Sequence, residues 1–453
     1  MTSTPTVSAE AARTATGPVE ARSGGWAAVR PLVMRLHFYA GIFIAPFLLI
    51  SAVTGLLYTA APQIEHVLYK HELTVPISGD GHRIPLQSQI RAARTAQPVG
   101  AITAVRPAAG AHATTRVVFD GPGIAAGYSR TAFVDPYTGQ VRGVLKTYGE
   151  WLPARAWLDS LHRTLLLGTP GRIYSETSAS WLWVIVLAGA ALWLGRRRTG
   201  RRNASGRRSR MLNWHGLTGI TLGIGFLFLS ATGLTWSHFA GDRISSLRAE
   251  FGGSTPAVAT TLHNGSKASR TDIGMDAVLA SARRAGLSDP VEITPPAAKD
   301  QAYTVQQVQR HWPEKQDSVA IDPHDGRVLH RLRFADYPLA AKLTRWGIDA
   351  HMGLLFGLAN QIVLAILAIG LICLIFWGYR MWWLRRPVRS AARMGRPPVR
   401  GAWRRIPGRW SAALILTAAV IGYLIPLLGI SLVLFLILDG VLHLRARTGP
   451  EAA

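Results

Sequence analysis

Four histidines stand at repeated positions in this chain, and imidazole is the side chain best suited to ligating a redox metal near neutral pH. His37 lies in RLHFYAGIFIAPFLLISAVTGLLY and His215 in NWHGLTGITLGIGFLFLSATGLTW. A Thr-Gly pair follows each at the same offset, Thr54-Gly55 and Thr232-Gly233, and then an aromatic, Tyr58 and Trp236. Further on, FVDPYTGQVRG leads to LDSLHRTLLLGTPG, and AIDPHDGRVLH leads to GIDAHMGLLFG, placing His162 and His351 after Asp135 and Asp322. The pattern reads as an internal duplication, each unit carrying two histidines beside apolar segments. A pseudo-two-fold axis would set His37 against His215 and His162 against His351.

Two facing imidazoles in an apolar surround suit a bis-histidine heme b, held as helix bundles hold cofactors, between facing side chains. Two such hemes, stacked across a hydrocarbon core of about 30 Å, would form an electron path. Arg35, Arg163 and Arg345 are candidate propionate partners. Trp214, Trp346 and Phe38 are candidate covers for the macrocycle. Each of these has a competing reading as an interface anchor. His66 and His238 fall near the outer ends of the first and third apolar segments, at unequal offsets from His37 and His215, and rank as alternative ligands. A lone histidine at a membrane boundary is more often an interfacial residue. Its recurrence at four corresponding positions is what argues for function. Zinc or another bare metal fits less well, because no acidic or Cys ligand clusters with these histidines. No separate catalytic side chain is assigned.

The elements that must position these histidines are membrane helices. About 20 apolar residues span a bilayer, and four stretches qualify: 36–61, 173–194, 214–238 and 352–383. A fifth apolar stretch, 410–444, is divided by Pro426 and Gly429 and reads as a hairpin or a single long helix. The expected organisation is a disordered cytoplasmic tail (1–29), a first membrane segment (30–61) and a first extracytoplasmic module (62–156). An outer helix with the second membrane segment (157–195), a basic loop (196–211) and a third membrane segment (212–239) follow. A second module (240–344), an outer helix with the fourth segment (345–384), a second basic loop (385–409) and the C-terminal membrane segment (410–444) complete it. In each module an amphipathic helix, starting near Pro85 or Thr271, precedes short alternating strands. These are 102–105, 115–119 and 132–134, then 291–293, 303–308 and 318–321. Both sets end in Asp-Pro-x-x-Gly, which suits a type I turn between strands.

Charge and composition agree with this plan. Of 453 residues, 49% are hydrophobic, and the net charge is +25. Eight arginines lie between Arg196 and Arg210 and ten between Arg380 and Arg409, beside apolar segments. Such runs mark cytoplasmic flanks, with anionic lipid headgroups as counter-charges. Nucleic acid is not an expected partner, since no nucleic-acid module accompanies the charge. The orientation that follows puts the N-terminus in the cytoplasm, the modules outside, and the chain in the cytoplasmic (inner) membrane. The single cysteine, Cys373, excludes an intrachain disulfide and argues against Cys-ligated clusters. No Walker A or dinucleotide fingerprint is present, so a cytoplasmic reductase or a membrane quinol would have to supply electrons.

RLHFYAG…TGLLY, VDPYTGQV, LHRTLLLG, WHGLTG…SATGLTW, IDPHDGRV, AHMGLLFGLANQ and WGYRMWWLRRP, in this order and duplicated, resemble the PepSY-associated transmembrane family. That family includes iron-regulated membrane proteins and siderophore reductases. The resemblance implies a polytopic α-helical membrane protein with two small α+β extracytoplasmic PepSY modules. It also implies a membrane di-heme oxidoreductase that reduces ferric siderophores in iron acquisition. Two other readings stay open: a heme electron carrier for another acceptor, and a non-redox PepSY membrane protein that binds peptides or restrains a protease. Transport of the siderophore finds less support, because no broken helix with mid-membrane polar residues is evident in the sequence.

Overall fold

The computed structural model describes residues 25–198, 206–262, 271–384 and 408–448. The N-terminal tail and much of the two arginine-rich segments lie outside the described residues. Among the described residues, fourteen α-helices and eight strands order themselves into an apolar bundle and a sheet stacked on one end of it.

The first apolar segment is read from sequence as one helix. It forms two, α1 (Gly25–Phe43) and α2 (Ala45–Thr59), bent by 58° at Ile44. The cause is Pro46, which has no N–H to give to the carbonyl of Ile42, four residues back. One phenol takes over the freed group: Tyr379 Oη donates to the Ile42 carbonyl at 2.8 Å, while Tyr174 Oη adds a bond to the Phe47 carbonyl just beyond the bend, at 2.7 Å. The equivalent of Pro46, nine residues after His215, is Ile224, and α8 (Arg207–Thr235) runs unbroken. A broken helix is therefore present where the sequence reading has one continuous span, but the residues at the break, Phe43 to Pro46, are all apolar.

With α7 (Thr169–Arg198) and α12 (Gly357–Trp383), α8 makes three helices among the described residues that are long and apolar enough to cross a membrane, or four if α1 and α2 count as one span. α7 packs along α8, and α12 along α2. Leu48, Leu182, Phe226, Leu367 and Leu374 fill the centre. Outward-facing apolar side chains such as Ile224, Ile362, Ile366 and Phe376 stay exposed. That is the reverse of a water-soluble helix pattern and suits a lipid surround. At the C-terminus α13 (Gly408–Leu424) and α14 (Pro426–Thr448) fold back on each other at Ile425, where Gly422 lies against Gly429. Leu428 packs with Ala40 and Trp181, and Trp181 Nε1 donates to Ser431 Oγ at 2.8 Å. The apolar parts of this hairpin, Ser411–Leu424 and Pro426–Leu438, are shorter than the long helices.

The sheet is continuous. Strands β1 (Ala101–Arg106), β2 (Thr115–Asp120), β3 (Tyr128–Val134) and β4 (Val141–Tyr148) form one half. β5 (Val291–Thr294), β6 (Tyr303–Gln307), β7 (Ser318–Ile321) and β8 (Val328–Leu332) form the other. The order is β4-β3-β2-β1-β5-β6-β7-β8, antiparallel throughout, and the halves meet where Val105 pairs with Ile293. Two modules are expected from sequence, and they share one eight-stranded sheet. α5 (Leu86–Ala96) and α10 (Gly274–Arg284) pack on it through Ile90, Ala93, Val278 and Ala282. Asp276 of α10 accepts from the Leu86 and Gln87 amides at 2.7 and 2.8 Å. A carboxylate on those first-turn N–H groups complements the start of α5 and ties the halves a second time.

Asp-Pro-x-x-Gly serves as the hairpin turn in both halves. Asp135 Oδ1 accepts from the Tyr137 amide and Asp322 Oδ1 from that of His324, each at 2.8 Å. Gly139 and Gly326 adopt φ of +76° and +72°, a region that favours glycine. The strands that follow these turns, β4 and β8, are absent from the sequence reading. β8 is an edge strand whose side chains are mostly exposed, so it carries no burial alternation to read. Short helices join sheet to bundle: α3 (Ala61–Leu68), α4 (Lys70–Leu73), α6 (Pro153–Thr164), α9 (Phe239–Glu250) and α11 (Leu339–His351).

Candidate cofactor-binding site

The four repeated histidines come together as two pairs. His37 lies well inside α1 and His215 inside α8, rather than at helix ends, because both helices begin earlier than hydropathy suggests. Their ring centroids are 6.3 Å apart and nearly perpendicular, at 79°. His37 Nδ1 is 3.0 Å from the carbonyl of Ile185 in α7, and His215 Nδ1 is 3.1 Å from that of Leu374 in α12. One turn beyond each carbonyl is a glycine. A Cβ on Gly189 would lie 3.0 Å from His37 Cε1, and one on Gly378 3.9 Å from His215 Cε1. Each ring thus seats itself on a neighbouring helix where a side chain is missing.

The second pair sits nearer the sheet. His162 ends α6 and His351 ends α11, the two short helices that precede α7 and α12. His162 Nδ1 is 3.0 Å from Thr54 Oγ1, and His351 Nδ1 is 2.6 Å from Thr232 Oγ1. Both rings approach the following glycine: a Cβ on Gly55 would be 3.1 Å from His162 Cε1, and one on Gly233 3.8 Å from His351 Cε1. The two imidazoles line one cavity of about 200 Å³ that runs into the bundle past Leu48 and Phe226. Tyr58 and Trp236, the aromatics that follow the Thr-Gly pairs, also line it. The Trp236 ring is 5.9 Å from that of His351, and Tyr58 Oη accepts from Arg155 Nε at 3.0 Å.

These contacts define the tautomers. A carbonyl can only accept, so Nδ1 of His37 and His215 must carry the proton. Thr54 and Thr232 give their hydroxyl protons to helix carbonyls, those of Ile50 at 2.8 Å and Phe228 at 2.7 Å. With those protons on the carbonyls, the hydroxyl oxygens are placed to accept from His162 and His351 in the tautomer protonated at Nδ1. In all four rings the lone pair is left on Nε2, the atom a metal would take. Locking Nδ1–H to an acceptor is how proteins orient imidazole ligands. Two imidazoles sharing one metal through bonds of about 2 Å place their ring centroids roughly 6 Å apart, which the first pair satisfies. The donor set is nitrogen-only, and the cavity at His162 and His351 is walled mainly by apolar side chains, with Asp159, Arg163, Arg172 and Glu176 also on it, which suits heme iron. Among the described residues, no group of three or more His, Cys, Asp or Glu side chains gathers as a metal site.

The other expected contacts divide. Arg163 lines the cavity and pairs with Asp159 at 3.1 Å. Arg35 is buried, with its guanidinium 5.3 Å from the Tyr39 ring centre. Arg345 faces two carboxylates, Glu314 at 2.7 Å and Asp349 at 3.2 Å, and is not a wall of the cavity. His238 is at the cavity edge, 3.9 Å from Asp242, whereas His66 is exposed on α3 and away from it. Trp346 stacks in an aromatic group with Trp312 and Phe334, Phe38 packs against Tyr39, and Trp214 is exposed.

Sequence reasoning missed a charged junction beneath the sheet. Arg106 of β1 joins Glu292 of β5 to Glu150. Arg310 joins Glu150 to Asp349, and Arg345 joins Asp349 to Glu314. Burial works to raise the Glu150 carboxyl, but Arg310 and Arg106 outweigh it and hold it below its ordinary value. Burial pushes Glu314 up to about 7 against the pull of Arg345, and raises Asp349 against Arg310 and Arg345. Asp349 is fully buried two residues before His351, so the network anchors the helix end that carries this imidazole. No motif announces it, because its members come from five separate segments.

Over residues 34–385 the chain matches the family model for the PepSY-associated TM region. The chain belongs to the PepSY-associated TM family. That match takes in all four histidines, the sheet and the helices from α2 to α12. No curated protein matches the chain. As a PepSY-associated TM protein with three or four apolar helices of spanning length, it is a membrane protein, and the bilayer is its partner.

Proposed function

We propose that this PepSY-associated TM protein is a membrane reductase that carries two b-type hemes and delivers electrons to the iron of ferric siderophores. The observation that supports it most is the shared state of the four imidazoles. Each donates its Nδ1 proton to a fixed acceptor and keeps a lone pair on Nε2, in an apolar bundle. Bound between them, heme would supply one-electron chemistry. His37 and His215 would hold one group and His162 and His351 the other. The apolar helices would limit water at both, and Arg163 lines the cavity of the second pair as a cation.

The two pairs follow from an internal duplication, in which α1 and α2 correspond to α8, and α7 to α12. The arginine-rich end lies in the cytoplasm of the inner membrane and the sheet lies outside. Electrons enter at the His37–His215 end from a cytoplasmic reductase or quinol and leave at the His162–His351 end. Beside the sheet, Lys315 and Lys342, with Glu314 and Asp317, edge a second cavity, of about 510 Å³, next to Trp346 of α11. That helix ends in His351, so a ferric chelate held there would lie toward the outer pair. Reduction to ferrous iron weakens hard-oxygen chelation and frees the metal.

The test is an optical spectrum of the detergent-purified protein, oxidised and then dithionite-reduced, with heme quantified per chain. Two low-spin b-type hemes, reoxidised on adding a ferric siderophore, are the expected result. No heme in protein from cells supplied with a heme precursor would overturn the proposal.

A further inference from the structure

The two histidine pairs are backed by different acceptors. Backbone carbonyls, those of Ile185 and Leu374, take the Nδ1 protons of His37 and His215. Side-chain hydroxyls, those of Thr54 and Thr232, take the protons of His162 and His351. We propose that Thr54 and Thr232 are positioning residues that tune the sheet-proximal heme iron through its imidazole ligands, independently of the distal one. This rests on the heme reading above.

Three features carry the inference. First, each hydroxyl is held rigidly. Thr54 Oγ1 is 2.8 Å from the Ile50 carbonyl and Thr232 Oγ1 2.7 Å from that of Phe228, so each hydroxyl has a helix carbonyl for its proton and an oxygen lone pair to offer the ring. Second, the next residue is glycine in both helices, and His162 Cε1 and His351 Cε1 come within 3.1 and 3.8 Å of where a Cβ would stand. Thr-Gly is therefore a single device: the threonine accepts, and the glycine lets the ring reach it. Third, the same device recurs seventeen residues after His37 and after His215, so it acts on both ligands of one pair.

The chemistry follows from ligand basicity. A hydrogen bond from Nδ1–H to an acceptor moves electron density toward Nε2 and makes it a stronger donor to the metal. A stronger donor favours ferric over ferrous iron and lowers the midpoint potential, since hydrogen bonding beyond the ligand is one of the levers on heme potential. Removing the acceptor should raise it. The carbonyls behind His37 and His215 cannot be removed by substitution, so the distal pair serves as an internal reference in the same molecule.

The experiment is a potentiometric titration of the full-length protein in detergent, followed optically, for the wild type, T54V, T232V and the double variant. Val matches Thr in shape and lacks the hydroxyl. One of the two midpoint potentials should rise in each single variant and rise further in the double, while the other stays put. T54S and T232S, which keep the hydroxyl, should return the shifted potential toward the wild-type value. The shifted component should be the one that disappears in H351A. Unchanged potentials, equal movement of both, or failure of Ser to restore would overturn the proposal. If a Val variant loses the sheet-proximal heme outright, retention of that heme by the matching Ser variant supports a positioning role. Loss in both Val and Ser variants refutes it. A wild-type protein without heme would defeat the heme reading itself, a result distinct from heme present with potentials indifferent to Thr54 and Thr232.

Discussion

Tyr379 Oη in α12 lies 2.8 Å from the carbonyl of Ile42 in α1, the backbone group that Pro46 leaves without its helical donor. Sequence places the proline, and tertiary packing supplies the compensation from a helix more than 300 residues away. Tyr379→Phe should expose the unmet carbonyl and destabilise the fold by about 1–3 kcal/mol. Pro46→Ala combined with Tyr379→Phe should lose less than Tyr379→Phe alone, because alanine restores the donor. Thermal unfolding in detergent of the single and double variants checks this. Equal losses would show that the phenol does not serve the break.

The glycines beside the histidines are not equivalent. Gly189 leaves 3.0 Å between a new Cβ and His37 Cε1, whereas Gly378 leaves 3.9 Å to His215 Cε1. Gly189→Ala should therefore displace His37 and remove the distal heme. Gly378→Ala should retain it. Heme per chain, measured by pyridine hemochromogen, separates the two outcomes.

Arg310 spans Glu150 and the fully buried Asp349. Removing one partner of a buried ion cluster strands the others, at a loss of about 3–5 kcal/mol. Arg310→Ala should fall in that range and also loosen the end of α11 that bears His351. Urea unfolding gives the first effect. A drop in sheet-proximal heme occupancy at temperatures where the protein is folded gives the second. Full occupancy there would separate the network from the site.

Glu314 supplies a pH dependence. Its folded value of about 7 stands above its ordinary 4.5, so the folded state binds the proton more tightly than the unfolded chain does. Its contribution to stability is complete below about 4.5, declines as pH rises, and is gone above about 7. Glu314→Gln, which carries no titrating proton, should flatten the fall in melting temperature between pH 5 and pH 8. An unchanged slope would assign that fall to other groups.

Substitution at the sheet junction tests its continuity. Val105 is fully buried opposite Ile293, and Val105→Asp would place a carboxylate there without a partner. Destabilisation of about 3 kcal/mol or more is expected, with the two halves separating in hydrogen exchange. Uniform protection across β1 and β5 in a folded variant would contradict this.

Much of the plan was legible because it is local. Apolar length marks the long helices, Asp-Pro-x-x-Gly marks both hairpins, and the Thr-Gly offset after His37 and His215 marks a repeated device, although not its purpose. That purpose depends on which ring nitrogen meets which oxygen across helices. Gly189 and Gly378 carried no signal, since a glycine in a long apolar helix has many uses. Arg345 looked like an anion-binding cation, and its real neighbours, Glu314 and Asp349, are brought to it by the sheet and by its own helix turn.

The sequence by itself determined the long apolar helices, six of the eight strands, the hairpin turns, the membrane character and the four histidines, because hydropathy, turn chemistry and repeated spacing are properties of neighbouring residues. Only the tertiary structure decided the bend at Ile44, the joining of two modules into one sheet, the charged junction and the proton on each imidazole. These depend on backbone groups and charges far apart in the chain, where burial forces each donor to find an acceptor.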